Sequence, residues 1–140
     1  MDGMTDYKRK RLELGLTQEQ VSEMTGISKV ALNYIEKGTR SPHLEAWYAL
    51  CTVLDGVNDG SKYYVWDPEA LRRERIRCSM TQQQLAEKMH MPRQRISGWE
   101  NEYNGRIPTV ENISRICYIL GNDIRDFLKE KDRMDCDIAV

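Results

Sequence analysis

Apolar residues along the first third of the chain recur at helical spacing in short runs, each opened by a Ser, Thr or Asp and closed by a Gly. Four helices are predicted there. Thr5 or Asp6 caps the first, which carries Tyr7, Leu12 and Leu14 to one side and ends at Gly15. Thr17 opens the second, with Gln20 placed to complete a capping box and Val21 and Met24 as the apolar stripe. Gly26 offers the left-handed conformation of a helix end, and Ser28 caps a third helix over Lys29 to Glu36. Ser41 and Pro42 start a fourth, with Leu44, Trp47, Leu50, Cys51 and Leu54 on its inner face.

The same pattern returns. Thr17, Gln18, Gln20, Glu23 and Glu36 recur 64 residues later as Thr81, Gln82, Gln84, Glu87 and Glu100, and Val21, Ile27 and Leu32 recur as Leu85, Met91 and Ile96. Upstream, Arg9, Arg11 and Leu12 fall opposite Arg73, Arg75 and Ile76. Beyond a two-residue insertion near Tyr103 to Gly105, Pro42, Leu44, Glu45, Leu50, Cys51 and Leu54 face Pro108, Val110, Glu111, Ile116, Cys117 and Leu120. Matching apolar columns alone would report only amphipathic helices. The matching polar columns indicate a duplicated working unit.

The second copy predicts helices at roughly 68–78, 82–89, 92–101 and 109–120, with Asp67 and Pro68 at the start of the first. A short fifth helix is added, Asp123 capping Ile124 to Lys129. The domain plan is therefore 1–56, a linker over 57–67, 68–129 and a charged tail over 130–140. Within the linker Asn58, Asp59 and Gly60 make a turn, and Tyr63 to Trp66 read as extended or irregular and too apolar for a loose tether. Extended, the segment from Asp55 to Pro68 reaches roughly 3.3 Å per residue, enough to hold two units well apart. The charged tail carries no pattern that calls for order.

Composition narrows the chemistry. The formal net charge is −1, so whole-molecule attraction to a polyanion is weak, and any basic face must be local. No apolar run reaches the length of a spanning helix and no apolar core follows the basic N-terminus, so the expected location is the cytoplasm. Cys51, Cys78, Cys117 and Cys136 lack metal-ligand spacing and read as buried reduced thiols. His43 and His90 stand without partner ligands. No nucleophile has a base at recognisable spacing, and GxGxxG, GxxxxGK[ST] and HExxH are all missing, so no enzyme, cofactor or metal is expected.

Two helices joined by a three- to four-residue turn, the second with polar side chains on its free face, have the geometry of a helix-turn-helix, whose second helix enters the DNA major groove. Lys29, Val30, Asn33 and Tyr34 face outward in the first copy, and Arg93, Gln94, Ser97 and Gly98 in the second. Both copies resemble the lambda-repressor-like helix-turn-helix domain, the Cro/XRE type of prokaryotic and phage repressors. The best-matched parts are RLELGLTQEQVSEMTGIS, IEKG with Pro42, TQQQLAEKM and ISGWEN with Pro108. The resemblance implies an all-α fold of two tandem four-to-five-helix domains. It also implies base-reading roles for Lys29, Val30, Asn33, Tyr34, Arg93, Gln94 and Ser97. Phosphate contacts follow for Thr17, Gln18, Ser28, Lys37, Arg40, Thr81, Gln82, Arg95 and Arg106. Arg11 with Glu36, and Arg75 with Glu100, match a structural ion pair joining the first helix to the end of the third. Gly98 departs from the pattern. Either the backbone approaches DNA closely there, or the second copy reads fewer bases.

Three classes of function compete: a sequence-specific DNA-binding regulator, a helix-turn-helix module turned to protein binding as an antirepressor or scaffold, and an enzyme. The first fits the repeated polar columns best. Its partner is double-stranded DNA, with no membrane and no small-molecule ligand in evidence. A homodimer through the linker or outer helices is the alternative to one chain spanning two half-sites.

Overall fold

A computed structural model describes residues 5–133. Its helices run α1 (Asp6–Glu13), α2 (Gln18–Thr25), α3 (Lys29–Lys37), α4 (Leu44–Leu54), α5 (Pro68–Arg77), α6 (Gln82–Met89), α7 (Arg93–Trp99) and α8 (Val110–Leu120), with strands β1 (Lys62–Trp66) and β2 (Leu128–Asp132). The chain divides into two compact units, residues 5–64 with 130–133, and residues 65–129. The all-α class holds, with one two-stranded ribbon added. Among the described residues no helix is long and apolar enough to cross a membrane.

Each unit packs a single apolar core. In the first, Val21, Ile27, Leu32, Ile35, Leu50 and Leu54 form it, all buried, while Met24 and Trp47 are only half-buried. In the second, Leu71, Leu85, Met89, Ile96, Ile113, Ile116 and Phe127 are fully enclosed, and the Trp66 ring stacks on Phe127 at 5.9 Å with its Nε1 donating to the Trp99 carbonyl. Leu12 and Leu14, expected on an inner face, are 49% and 47% exposed, and Ile76 is 55% exposed. The buried member of α1 is Arg11, because the face toward the core is centred on its ion pair rather than on the leucines.

Helix starts follow the sequence closely. Thr5, Thr17, Ser28, Asp67, Thr81 and Thr109 each accept a bond from a backbone N–H in the first turn, and Thr17–Gln20 and Thr81–Gln84 close full capping boxes. The fourth helix starts later than expected. His43, not Ser41 or Pro42, is its cap, Nδ1 accepting from the Ala46 N–H at 3.4 Å.

The segments read as linker, fifth helix and tail differ most from expectation. Asn58 is 4% exposed and organises the turn, its amide donating to the Lys62 carbonyl while its oxygen accepts from the Gly60 and Lys62 N–H groups. Tyr63 to Trp66 take the extended of the two expected forms, as part of β1. The fifth helix is a single 3-10 turn over Ile124–Phe127, capped by Asp123, after which the backbone turns extended at Leu128. The charged residues from Glu130 then continue as β2 rather than as an unstructured tail. In the first unit Lys62 pairs with Asp132 and the Tyr64 hydroxyl reaches Glu130, an antiparallel register. Arg133 follows, its Nε donating to the Gly60 carbonyl at 2.9 Å and Nη2 to the Met24 carbonyl at 3.2 Å. Cys136 and the rest of the tail lie outside the described residues.

Cys51, Cys78 and Cys117 are free thiols, half-buried rather than fully buried. Burial, then Asp55, pushes the Cys51 thiol up, and burial, then Asp123 and Asp126, pushes Cys117 up to about 12. Both stay protonated and unreactive near neutral pH.

Candidate nucleic-acid interface

In each unit the second and third helices are set by one polar cluster beneath them. Arg11 Nε and Nη2 donate to the two carboxylate oxygens of Glu36 at 2.7 and 3.0 Å, while Nη1 donates to the Leu16 carbonyl at 2.9 Å. Arg75 repeats this on Glu100 at 2.7 and 2.9 Å and on the Met80 carbonyl at 2.8 Å. The side chains are 10% exposed or less. Paired this way, with every guanidinium branch engaged, buried charges are satisfied, but removing either partner would orphan the other. Hydrogen bonding to Glu100 raises the pKa of Arg75 above its ordinary value.

Gln18 and Gln82 extend the cluster outward. Their amides donate to Glu36 and Glu100 at 3.1 Å, and each is half-buried at the first position of its helix. The amide nitrogen keeps a second N–H for an external acceptor. Gln82 also accepts from Arg93 Nη1 at 3.3 Å, so a chain of contacts runs from buried Arg75 through Glu100 and Gln82 to an exposed cation at the start of α7.

The turn that follows differs between copies. Gly26 ends α2 with φ 79° and Ser28 caps α3. In the second copy His90 takes the left-handed conformation, φ 57°, and Pro92 precedes α7 with no side-chain cap. On the inner faces of α3 and α7 Leu32, Ile35 and Ile96 are buried; Lys29, Val30, Tyr34, Arg93, Gln94 and Arg95 are exposed, with Asn33 and Ser97 half-buried. Thr17, Ser28, Lys37, Arg40, Thr81 and Arg106 are exposed as well. Lys29, Lys37, Arg40, Arg93, Arg95 and Arg106 have no carboxylate within ion-pair distance among the described residues, so their charge faces solvent. The basic run Arg72 to Arg77 divides. Arg75 is the buried partner of Glu100, Arg77 pairs with Glu74 at 3.0 Å, and Arg72 and Arg73 are solvated.

Gly98, the position that departs from the pattern, is not bare. It is buried, because Arg106 and Asn104 from the following loop lie over it. Sequence reading missed this fold-back; the two-residue insertion at Tyr103 to Gly105 was its trace.

Each copy thus presents a helix, held on a buried ion-pair cluster, with polar and basic side chains near its N-terminus. The helix-turn-helix family model, of Cro/C1 type, matches the chain twice, over residues 8–58 and 71–127. The chain belongs to the Cro/C1-type helix-turn-helix family. This is a family of DNA-binding transcription regulators, and both copies carry it. No curated protein and no solved structure gave a significant match.

Proposed function

We propose that this helix-turn-helix protein is a sequence-specific, double-stranded DNA-binding transcriptional repressor of prokaryotic or phage type, acting in the cytoplasm, in which one chain reads two unequal half-sites. One observation carries this reading: the same Arg–Glu–Gln scaffold underlies two exposed helix faces with different residues. Identical scaffolds dock a helix in the same way, and different faces prefer different bases.

Side-chain chemistry divides the work. The Arg93 guanidinium matches guanine O6 and N7, and Gln94 matches adenine N6 and N7. Lys29 favours guanine, Asn33 adenine, and Val30 a thymine methyl, with Tyr34 and Ser97 completing the two faces. Thr17, Gln18, Ser28, Lys37, Arg40, Thr81, Gln82 and Arg95 hold phosphates and fix register without reading sequence.

Selection of bound duplexes from random DNA by the full chain tests this. Two different half-sites without two-fold symmetry are expected, bound with an affinity that falls with salt by a log–log slope of about −0.9 per phosphate contact. A symmetric site with four contacts would point instead to a homodimer through the linker or outer helices. Arg93→Ala should relax preference at one base pair by ~1–3 kcal/mol and leave random DNA nearly unaffected. Equal losses on selected and random duplexes would show the reading face to be elsewhere.

A further inference from the structure

We propose that Arg106 is a base-reading residue of the second unit, carried from the loop after α7 onto the reading helix by a notch at Gly98. The proposal rests on the DNA-facing role of α7 argued above. Gly98 is the counterpart of Tyr34, and Tyr34 is 47% exposed, one helical turn on from the exposed Val30 in α3. At the same helical position α7 has no side chain, yet the position is covered. Arg106 Cδ lies 3.1 Å from where a Cβ on Gly98 would sit, Asn104 Nδ2 3.7 Å and Arg106 Nη1 3.9 Å.

Glycine disfavours a helix interior, and Gly98 has no left-handed backbone to justify it. What it permits is this close approach. The loop is shaped to deliver it: Asn101 Oδ1 accepts from the Tyr103 N–H at 2.9 Å and Asn104 Oδ1 from the Arg106 N–H at 3.0 Å, two side-chain-closed turns in succession. Arg106 as a whole remains exposed, with no carboxylate within ion-pair distance among the described residues. In the first unit the matching cation is Arg40, and there Tyr34 fills the place that Gly98 leaves open. The second copy has therefore exchanged an aromatic side chain on the helix for a guanidinium supplied by the loop. A planar fork of donors carried over Gly98, one helical turn on from Gln94, suits a guanine edge, and a phosphate would require no notch in the helix.

The test compares the full-length chain with Arg106→Ala, Arg106→Lys and Gly98→Ala on its selected duplex, on single-base-pair variants of that duplex and on random DNA, across a salt series. Arg106→Lys should keep the salt slope yet lose ~10-fold of discrimination at one guanine-containing pair, Arg106→Ala should lose at least as much at the same pair, and Gly98→Ala a smaller share with no fall in melting temperature. A uniform loss on every duplex with Arg106→Ala, rescued by Arg106→Lys, would overturn the assignment and make Arg106 a phosphate contact, leaving the DNA-binding reading intact. Failure of the unmutated chain to shift any duplex in dilute buffer would overturn both.

Discussion

The two copies share the ion-pair cluster beneath the third helix of each unit and differ in most of the residues that helix displays. Arg11, Glu36 and Gln18 are matched atom for atom by Arg75, Glu100 and Gln82, with bond lengths agreeing within 0.1 Å. Against that, Gly26 becomes His90, Ser28 becomes Pro92, Lys29 becomes Arg93 and Tyr34 becomes Gly98. The duplication thus separates two jobs that one copy alone would leave merged: residues that hold a helix at a fixed angle, and residues that helix displays.

Breaking the shared part should give the largest effect, and an equal one in both copies. Glu36→Ala and Glu100→Ala each leave a buried guanidinium unpaired, a loss of about 3–5 kcal/mol of stability to the unit concerned. Chemical denaturation followed by hydrogen exchange resolves the units separately, since two-domain chains need not unfold in one step. A loss below about 1 kcal/mol in either copy would mean that water enters the cluster and that the matched geometry carries little energy.

A middle-sized effect should fall on one copy alone. Arg133 bonds the carbonyls of Met24 and Gly60, at the end of α2 in the first unit, and its guanidinium lies 5.9 Å from the Tyr63 ring centroid. Arg133→Ala should cost the first unit about 1–2 kcal/mol, because bonds from a charged donor are stronger than neutral ones while the site is only half-buried. Faster exchange of amides in Met24 to Ile27, with the second unit unchanged, is the expected readout. Unchanged protection in the first unit would reduce Arg133 to a surface contact.

These contrasts also explain what could be read in advance. Caps were legible because Thr17, Ser28, Asp67 and Thr81 act on their own backbone within three residues. The ion pairs were legible through the family resemblance, which carries the same Arg and Glu positions in both copies. The inner face of α1 was not, since counting apolar residues points to Leu12 and Leu14, whereas the buried residue is a charged one whose partner lies 25 positions away. Strand β2 was hidden for a related reason. Its sequence LKEKD has no alternating apolar positions, and its pairing depends on a segment some 66–70 residues earlier. The covering of Gly98 required knowing where a loop turns back, and spacing alone does not give that.

The smallest effect concerns the turn, where the copies solve one backbone problem with different residues. At the end of α2 the first copy places Gly26, and at the end of α6 the second places His90, both left-handed. A residue with a Cβ is disfavoured there by roughly 1–2 kcal/mol, and glycine returns part of that gain through the greater freedom of its unfolded chain. His90→Gly should therefore raise the stability of the second unit by about 0.5–1 kcal/mol, seen as a small upward shift in its unfolding midpoint, with base preference unchanged. No shift, or a fall, would mean that the exposed imidazole of His90 makes a compensating contribution to the turn, and that the two copies differ beneath the reading face as well as upon it.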